Sequence, residues 1–173
     1  MIIDEREFEH IYEKFAQKIY VFCYFRVNSK EEAEDLAASV FVRAWDYIVS
    51  DGKVTNIQAF LYRIASNLII DYYRKNRGQR EISIDNPKNV IEITDDADIQ
   101  QKTDQGIRVK KIRNLLSQLP DTYREVIILR YLDDMSVKEI SRVLKSSENN
   151  ISVRLHRAIE KIQSLISKTN LDE

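Results

Sequence analysis

The stretch MSVKEISRVLKSSENNISVRLHRAIEKIQSL, residues 135–165, decides how this chain folds. Ser136 is placed to cap a short helix with Val137, Ile140 and Leu144 inward, and with the small Ser141 where a crossing helix needs close approach. A turn around Ser146-Ser147 follows, and then a longer helix that buries Ile151, Leu155, Ala158, Ile159, Ile162 and Leu165. A short helix, a tight turn and a longer helix with polar first turns is the helix-turn-helix arrangement. Any helical hairpin can imitate that pattern, so the outward residues matter as much. Asn149, Asn150, Ser152, Val153, Arg154 and Arg157 point away from the apolar stripe. Amides and a guanidinium there could reach base edges, while Arg157 and Lys161 hold phosphates. His156 reads as a structural or phosphate-facing residue rather than a catalytic base.

Upstream, Ile112, Leu115, Leu116 and Leu119 mark a helix that stops at Pro120. Asp121 or Thr122 then caps a second, with Tyr123, Val126, Ile127 and Tyr131 on its apolar face and Asp133-Asp134 at its end. These helices and the hairpin make a module over 107–173, in which basic residues outnumber acidic ones. Before it lies GQREISIDNPKNVIEITDDADIQQKTDQG, residues 78–106, where acidic residues dominate. It has short alternating apolar residues but no helical stripe, holds a proline, and is bracketed by Gly78 and Gly106. That composition predicts a mostly irregular, flexible linker. At about 3.3 Å per residue it reaches on the order of 95 Å, enough to join sites more than two turns of DNA apart at about 34 Å per turn.

The remaining residues, 1–77, read as three helices. Phe8, Ile11, Tyr12, Phe15, Ile19, Phe22 and Cys23 recur at steps of three and four. Ser29 with Glu32 three residues on forms a capping box for a helix carrying Ala33, Leu36, Val40, Ala44 and Ile48 on one face. Glu34, Asp35, Val42 and Asp46 lie elsewhere on its surface. Asp51-Gly52 breaks the chain, and a third helix capped by Asn56 buries Ile57, Phe60, Leu61, Ile64, Ala65, Leu68 and Tyr72. Its other side presents Arg63, Asn67, Ile70, Arg74 and Arg77, with Tyr62 and Tyr73 close by. Cations, an amide and rings on one face suit single-stranded nucleic acid, although a solvated helix end has the same composition.

Composition bounds what else the chain could be. Its 173 residues contain only 3 Gly and 2 Pro, so an all-α fold of two small helical domains is expected rather than a turn-rich sheet. The apolar runs are far shorter than the roughly 20 residues that cross a bilayer, and MIIDEREFEH lacks a basic-then-apolar leader. A soluble, cytoplasmic protein without membrane insertion is the expectation. The single Cys23 cannot form an internal disulfide, and with only two histidines no zinc cluster reaches ligand spacing. Cys23 reads as core. There is no glycine-rich phosphate loop and no paired acid constellation. No catalytic residue, metal site or cofactor is therefore expected, and the chain reads as a non-enzyme.

Four segments together resemble one family: AEDLAASVFVRAW at 33–45, AFLYRIASNLIIDYYRK at 59–75, LPDTYREVIILRYLDDMSVKEIS at 119–141 and VRLHRA at 153–158. In this order and spacing they are similar to the extracytoplasmic-function (ECF) group of bacterial sigma-70 RNA polymerase sigma factors. The resemblance implies that 1–77 is sigma region 2 and 107–173 is region 4. It implies as partners core RNA polymerase, through the β′ clamp helices and the β flap, and promoter DNA, with an anti-sigma factor as a further partner.

The resemblance also implies roles for particular residues. Asp35, Leu36 and Phe41 would anchor or support the β′ contact. The loop from Ser50 to Asn56 and the following helix would meet the melted −10 element, Asn67 contributing to a pocket for a flipped base while Arg63, Arg74, Lys75 and Arg77 steer the backbone. The helix with Asn149, Asn150, Ser152, Val153, Arg154, Arg157 and Lys161 would read the −35 element as duplex, and the acidic linker would thread the polymerase near the RNA path. Two departures stand out. Ala37-Ala38 replaces a polar pair, often Thr-Gln, with Ser39 in place of an acid. Asn149, Asn150, Ile151, Ser152 and Val153 stand where Gly-Thr-Val-Lys-Ser is usual, and the added amides favour an A-containing element. Rival readings are a decoy that binds polymerase or a regulator without initiating, motivated by Ala37-Ala38, and a conventional helix-turn-helix regulator that binds DNA without polymerase.

Overall fold

The computed structural model describes residues 3–76 and 104–169. Seven α-helices run through them: α1 Glu5–Tyr24, α2 Lys30–Val49, α3 Ile57–Asn76, α4 Asp104–Ser117, α5 Asp121–Ile127, α6 Val137–Leu144 and α7 Glu148–Thr169. A π-helical turn, Ile128–Leu132, prolongs α5. No strand occurs among the described residues, as an all-α fold requires. The expected linker lies outside them as far as residue 103. Its last three residues do not conform: α4 begins at Asp104 and carries Gly106 within it. A glycine there costs a helix about 1 kcal/mol relative to alanine, too little to end one.

The helix ends follow the local chemistry of their caps. Asp4 accepts from the Glu7 amide at 2.8 Å to start α1. At α2 the Ser29 hydroxyl accepts from the Glu32 amide at 3.3 Å while the Glu32 carboxylate accepts from the Ser29 amide at 3.2 Å. Asn56 caps α3 through the Ala59 amide at 2.9 Å. Ser136 and Glu139 make a second capping box at α6. Between α2 and α3, Asp51 takes φ 62°, and a Cβ on Gly52 would lie 2.3 Å from the Tyr47 ring, so this turn tolerates nothing larger than glycine. At α5 the expectation of an Asp121 or Thr122 cap is wrong. Pro120 holds the N-cap position and no side chain caps the helix; the Asp121 carboxylate is engaged by Arg26 instead.

The apolar stripes converge on one continuous core. Ile19, Phe22, Ala33, Val40, Ala44, Leu61, Ala65 and Ile69 fill the space among α1, α2 and α3, and Leu119, Val126, Ile128, Leu129, Ile140, Val143, Ile151 and Ala158 fill that among the later helices. Cys23 is buried, as expected of a core residue, and burial pushes its thiol up to about 12. Tyr12, Ile112 and Tyr131 were expected inside but stand at 50%, 43% and 60% exposure. Each lies at the edge of a stripe wider than the neighbouring helices cover. The π turn contributes at Tyr131: its i+5 bonding, with the Asp133 amide on the Ile128 carbonyl at 3.1 Å, rotates residues 131 and 132 outward.

The two sets of helices meet, with α3 packed on α6. Within this contact the Asp133 carboxyl, only 7% exposed, faces the Tyr62 hydroxyl. Burial pushes it up from 3.8 to about 6, against the opposing pull of Tyr62 and Lys18. Between those two values the folded chain binds a proton that the unfolded chain has released, so stability falls as pH rises across the interval. Asp133→Asn should accordingly raise stability at pH 7 by about 1–3 kcal/mol and flatten the fall between pH 4 and 6. Urea melts of both proteins at pH 4 and pH 7 check this, and an equal or lower stability of the variant at pH 7 would refute it.

Candidate nucleic-acid interface

The helix-turn-helix is built from its turn outward. Lys145 ends α6 in the left-handed region at φ 49°, and the Ser146 amide donates to the Ser141 carbonyl at 3.0 Å. The Ser147 hydroxyl accepts from the Asn150 amide at 3.2 Å, capping α7. Ile151, Leu155 and Ala158 are buried against α5 and α6, which fixes the rotation of α7. The opposite side is thereby turned to solvent: Asn149, Asn150, Ser152, Val153, Arg157 and Lys161 are exposed, and Arg154 is half-buried. The Ser152 hydroxyl donates back to the Glu148 carbonyl at 3.0 Å, leaving it as an acceptor. His156 lies 3.4 Å from Glu160 on the same exposed face, a local pair that needs no catalytic role. The structure therefore gathers all the residues expected to face DNA here, with Val153 an apolar spot among amides and cations.

A second face lies on α3. Asn67, Arg74 and Lys75 are exposed and Arg63 is half-buried, its Nε donating to the Ala59 carbonyl at 3.2 Å. Arg74 approaches Asp71 at 3.4 Å, with both side chains solvated. Arg77 lies outside the described residues. The rings expected beside this face are not available to it. Tyr62 is fully buried with its ring 5.1 Å from that of Phe22, and Tyr73 donates its hydroxyl to the Arg26 carbonyl. Residues 62, 66, 69 and 73 form a line about 100° around the helix from 63, 67, 70 and 74, and that line faces inward.

On α2, Asp35 is exposed and Leu36 half-buried, whereas Phe41 is at 6% exposure. Phe41 packs edge-on to Tyr12 at 4.8 Å and to Phe8 at 6.5 Å, and though largely buried it lines the groove these rings form. Five residues beyond Leu36, it is rotated about 140° from that position. The exposed residue is its neighbour Val42, which with Tyr12, Phe8 and Trp45 lines an open groove between α1 and α2. Sequence periodicity missed this groove because it counted Tyr12 as core; the signal available was the cluster of aromatic residues near both helix ends. Of the Ala37-Ala38 pair, Ala37 is buried and only Ala38 faces solvent, while Ser39 donates to the Asp35 carbonyl at 2.8 Å.

Comparison with known proteins finds family matches in two parts of the chain. Residues 11–79 match the family described as Sigma-70 region 2, and residues 110–162 match Sigma-70, region 4. Among curated proteins, the chain is 30% identical to the ECF RNA polymerase sigma factor SigM of Bacillus subtilis over 174 residues, covering 100% of each chain. It is 30% identical to SigW, another ECF RNA polymerase sigma factor of that organism, over 92% of this chain and 89% of the relative. Among solved structures, CnrH in complex with the cytosolic domain of CnrY has TM-score 0.72 at 21% identity, over 95% of this chain and 90% of the other. The sigma factor RpoE in complex with the anti-sigma factor NepR from Bartonella quintana has TM-score 0.73 at 21% identity, over 94% and 98%. These two likenesses concern the fold.

Proposed function

The chain belongs to the ECF group of sigma-70 RNA polymerase sigma factors, and from this membership we propose that it directs core polymerase to a particular set of promoters and opens them at the −10 element. The observation that carries the reading is the division of labour between α7 and α3. Each has one face locked into the core and another presenting amides and cations to solvent. The α7 face, with Asn149, Asn150, Ser152, Val153, Arg154, Arg157 and Lys161, takes the −35 duplex, where the amides pair with adenine edges and the cations hold phosphates. The α3 face, with Arg63, Asn67, Arg74 and Lys75, takes the melted −10 strand, and Arg77, outside the described residues, is assigned to the same strand by the family resemblance. Extruding a base costs a few kcal/mol, which contacts available only in a matching sequence offset. Strand opening on this reading is a binding process with no chemical step, and the protein acts where the polymerase is, in the cytoplasm.

On the same reading Asp35, Leu36 and the surface backed by Phe41 meet the β′ clamp helices, region 4 rests on the β flap, and an anti-sigma factor restrains the protein by covering these polymerase-binding faces. On this reading the domains are 1–77 and 107–173, the second extended at its start by the first turn of α4, which begins at Asp104. The decoy reading loses part of its motivation, because buried Ala37 offers no contact to a partner and only Ala38 changes the surface. Co-purification with core polymerase, followed by mapping of transcription start sites, tests the proposal; absence of any initiated transcript would leave a decoy as the better account.

Two substitutions probe the two faces. Arg154→Ala should weaken promoter binding and relax preference at one −35 position by roughly 1–3 kcal/mol, whereas Arg157→Ala should weaken all sequences alike. A promoter library in which Arg154→Ala keeps the original selectivity would remove that residue from base recognition. Asn67→Ala should leave polymerase binding intact yet impair open-complex formation. Permanganate footprinting reads this directly, and normal reactivity of the melted strand would count against the pocket.

A further inference from the structure

Val153 is the one large apolar side chain on the outer face of α7 among the described residues, and it stands 40% exposed. At 100° per residue it lies about 160–170° around the helix from the mean direction of Ile151, Leu155 and Ala158, the residues buried beneath it. The core contacts that fix the rotation of α7 therefore put Val153 at the centre of the face turned to solvent. One turn back stand Asn149 and Asn150, and one turn on stand His156 and Arg157, all exposed. Ser152 and Arg154 flank this row. The Ser152 hydroxyl donates to the Glu148 carbonyl at 3.0 Å, Arg154 is half-buried, and His156 is turned to Glu160 at 3.4 Å. Val153 belongs neither to the core nor to the partly buried shell around it. Packing thus gives no reason for a β-branched residue here, where alanine would favour the helix more.

We propose that Val153 recognises a thymine of the −35 element through its C5-methyl group, one or two base pairs from an adenine held by Asn149 or Asn150. The inference rests on the reading of α7 given above and names the chemistry by which that face selects its sequence. Among the groups that project into the major groove, the thymine methyl is the apolar one, and the others are hydrogen-bond donors and acceptors. A valine meets that methyl without displacing water from any polar group. Set against the amino group of cytosine, or the N7 and O6 of guanine, the same side chain strips water and returns no hydrogen bond, which disfavours those pairs. Spacing along the helix agrees. Val153 lies about 4.5–6 Å along the axis from Asn150 and Asn149 at 1.5 Å per residue, and base pairs follow one another at about 3.4 Å. The amide and methyl contacts therefore fall one or two steps apart. An asparagine pairs bidentately with adenine, so the amides and the valine select A·T pairs jointly, by polar and apolar contacts at neighbouring steps.

The test uses the full chain bound to core polymerase, on a promoter found by mapping its transcription start sites. Each thymine of the −35 element, on either strand, is replaced in turn by deoxyuridine, which keeps every hydrogen bond and removes only the methyl. One replacement, within two base pairs of a required adenine, should raise the half-saturating concentration of the parent holoenzyme about three- to fivefold, the worth of one buried methyl group. The other replacements should leave it unchanged. Val153→Ala should bind the thymine and deoxyuridine promoters alike, and more weakly than the parent binds thymine. Circular dichroism melting checks that this variant keeps the parent's fold, as its place outside the core requires. A parent indifferent to every methyl overturns the proposal, as does a methyl dependence that survives in Val153→Ala or a required −35 element without an A·T pair. Each of those outcomes leaves promoter-specific initiation standing. A parent holoenzyme that initiates at no promoter instead overturns the sigma reading, and the proposal falls with it.

Discussion

Arg124→Ala should destabilise the C-terminal helices by about 3–5 kcal/mol, the largest loss expected of any single truncation in this module. Arg124 is completely buried. Its Nε donates to the Leu116 carbonyl at 2.9 Å, and its Nη2 donates to the Leu119 carbonyl at 2.8 Å and the Ser117 carbonyl at 3.4 Å. These carbonyls lie at and just beyond the end of α4, where a helix leaves its last carbonyls without N–H donors of its own. One planar fork therefore terminates α4 and ties it to α5. Truncation removes charge-assisted bonds and takes the side-chain donor from the Ser117 and Leu119 carbonyls in a dry site, each loss worth about 1–3 kcal/mol, while the Leu116 carbonyl keeps the Leu119 amide at 3.0 Å. Water entering the vacated space recovers a part, which keeps the estimate below the simple sum. Arg124→Lys should recover little, because a compact ammonium cannot span carbonyls fixed for a fork. Denaturant melts followed by circular dichroism measure both variants, and a loss under about 1 kcal/mol for Arg124→Ala would mean that the carbonyls find other donors.

Arg26→Ala is the counterpart in which a comparable local penalty should appear as opening and not as unfolding. With the guanidinium gone, Asp121 and Glu125 are left facing each other in a buried site, a situation that costs about 3–5 kcal/mol where no escape exists. Here an escape exists. The carboxylates belong to α5 and the cation to the other module, so separating the modules returns both acids to water. The penalty is then capped by the free energy that holds the modules together. Scattering from the variant should give a larger radius of gyration than the parent, with helix content retained. A compact variant whose helices melt earlier would show that the two modules cannot part without unfolding. Combining Arg26→Ala with Asp121→Asn and Glu125→Gln should restore compactness in part, since the two carboxylates no longer face each other, although buried Arg124 then loses its Asp121 partner at 4.0 Å.

The contrast between these two arginines marks a limit of reading the chain in one dimension. Both occur in segments that periodicity reads as helix ends or helix faces, yet nothing in the sequence distinguishes either, because a buried arginine and a solvated one look alike there. Their partners decide the matter. Arg26 meets Asp121 and Glu125 at separations of 95 and 99 residues, across a linker whose path no periodicity specifies. Tyr62 and Tyr73 are held inward by Phe22 and the Arg26 carbonyl, which is why the rings expected at the −10 face are absent from it. Tyr12 stands outside the core for a related reason: a stripe identifies which side of a helix is apolar, but how wide a band is covered depends on the neighbour's position.

What the amino-acid sequence determined by itself were the elements whose causes are local. The Ser29–Glu32 box, the Asn56 cap, the Asp51-Gly52 break and the Ser136 start of α6 involve groups within four residues of one another, so their hydrogen bonds are implied by spacing alone. The burial of Ile151, Leu155 and Ala158 follows from the helical period, and with it the outward direction of Asn149, Asn150 and Arg157. Tertiary structure decided everything that depends on desolvation by a distant neighbour: the removal of Asp121 from capping to an ion pair, the raised Asp133 carboxyl, the groove beside Trp45, and the fork of Arg124 on three carbonyls. The reason is physical. A side chain's hydrogen-bonding capacity is a property of its type, but whether that capacity is met by water or by protein is settled only when neighbouring elements pack against it.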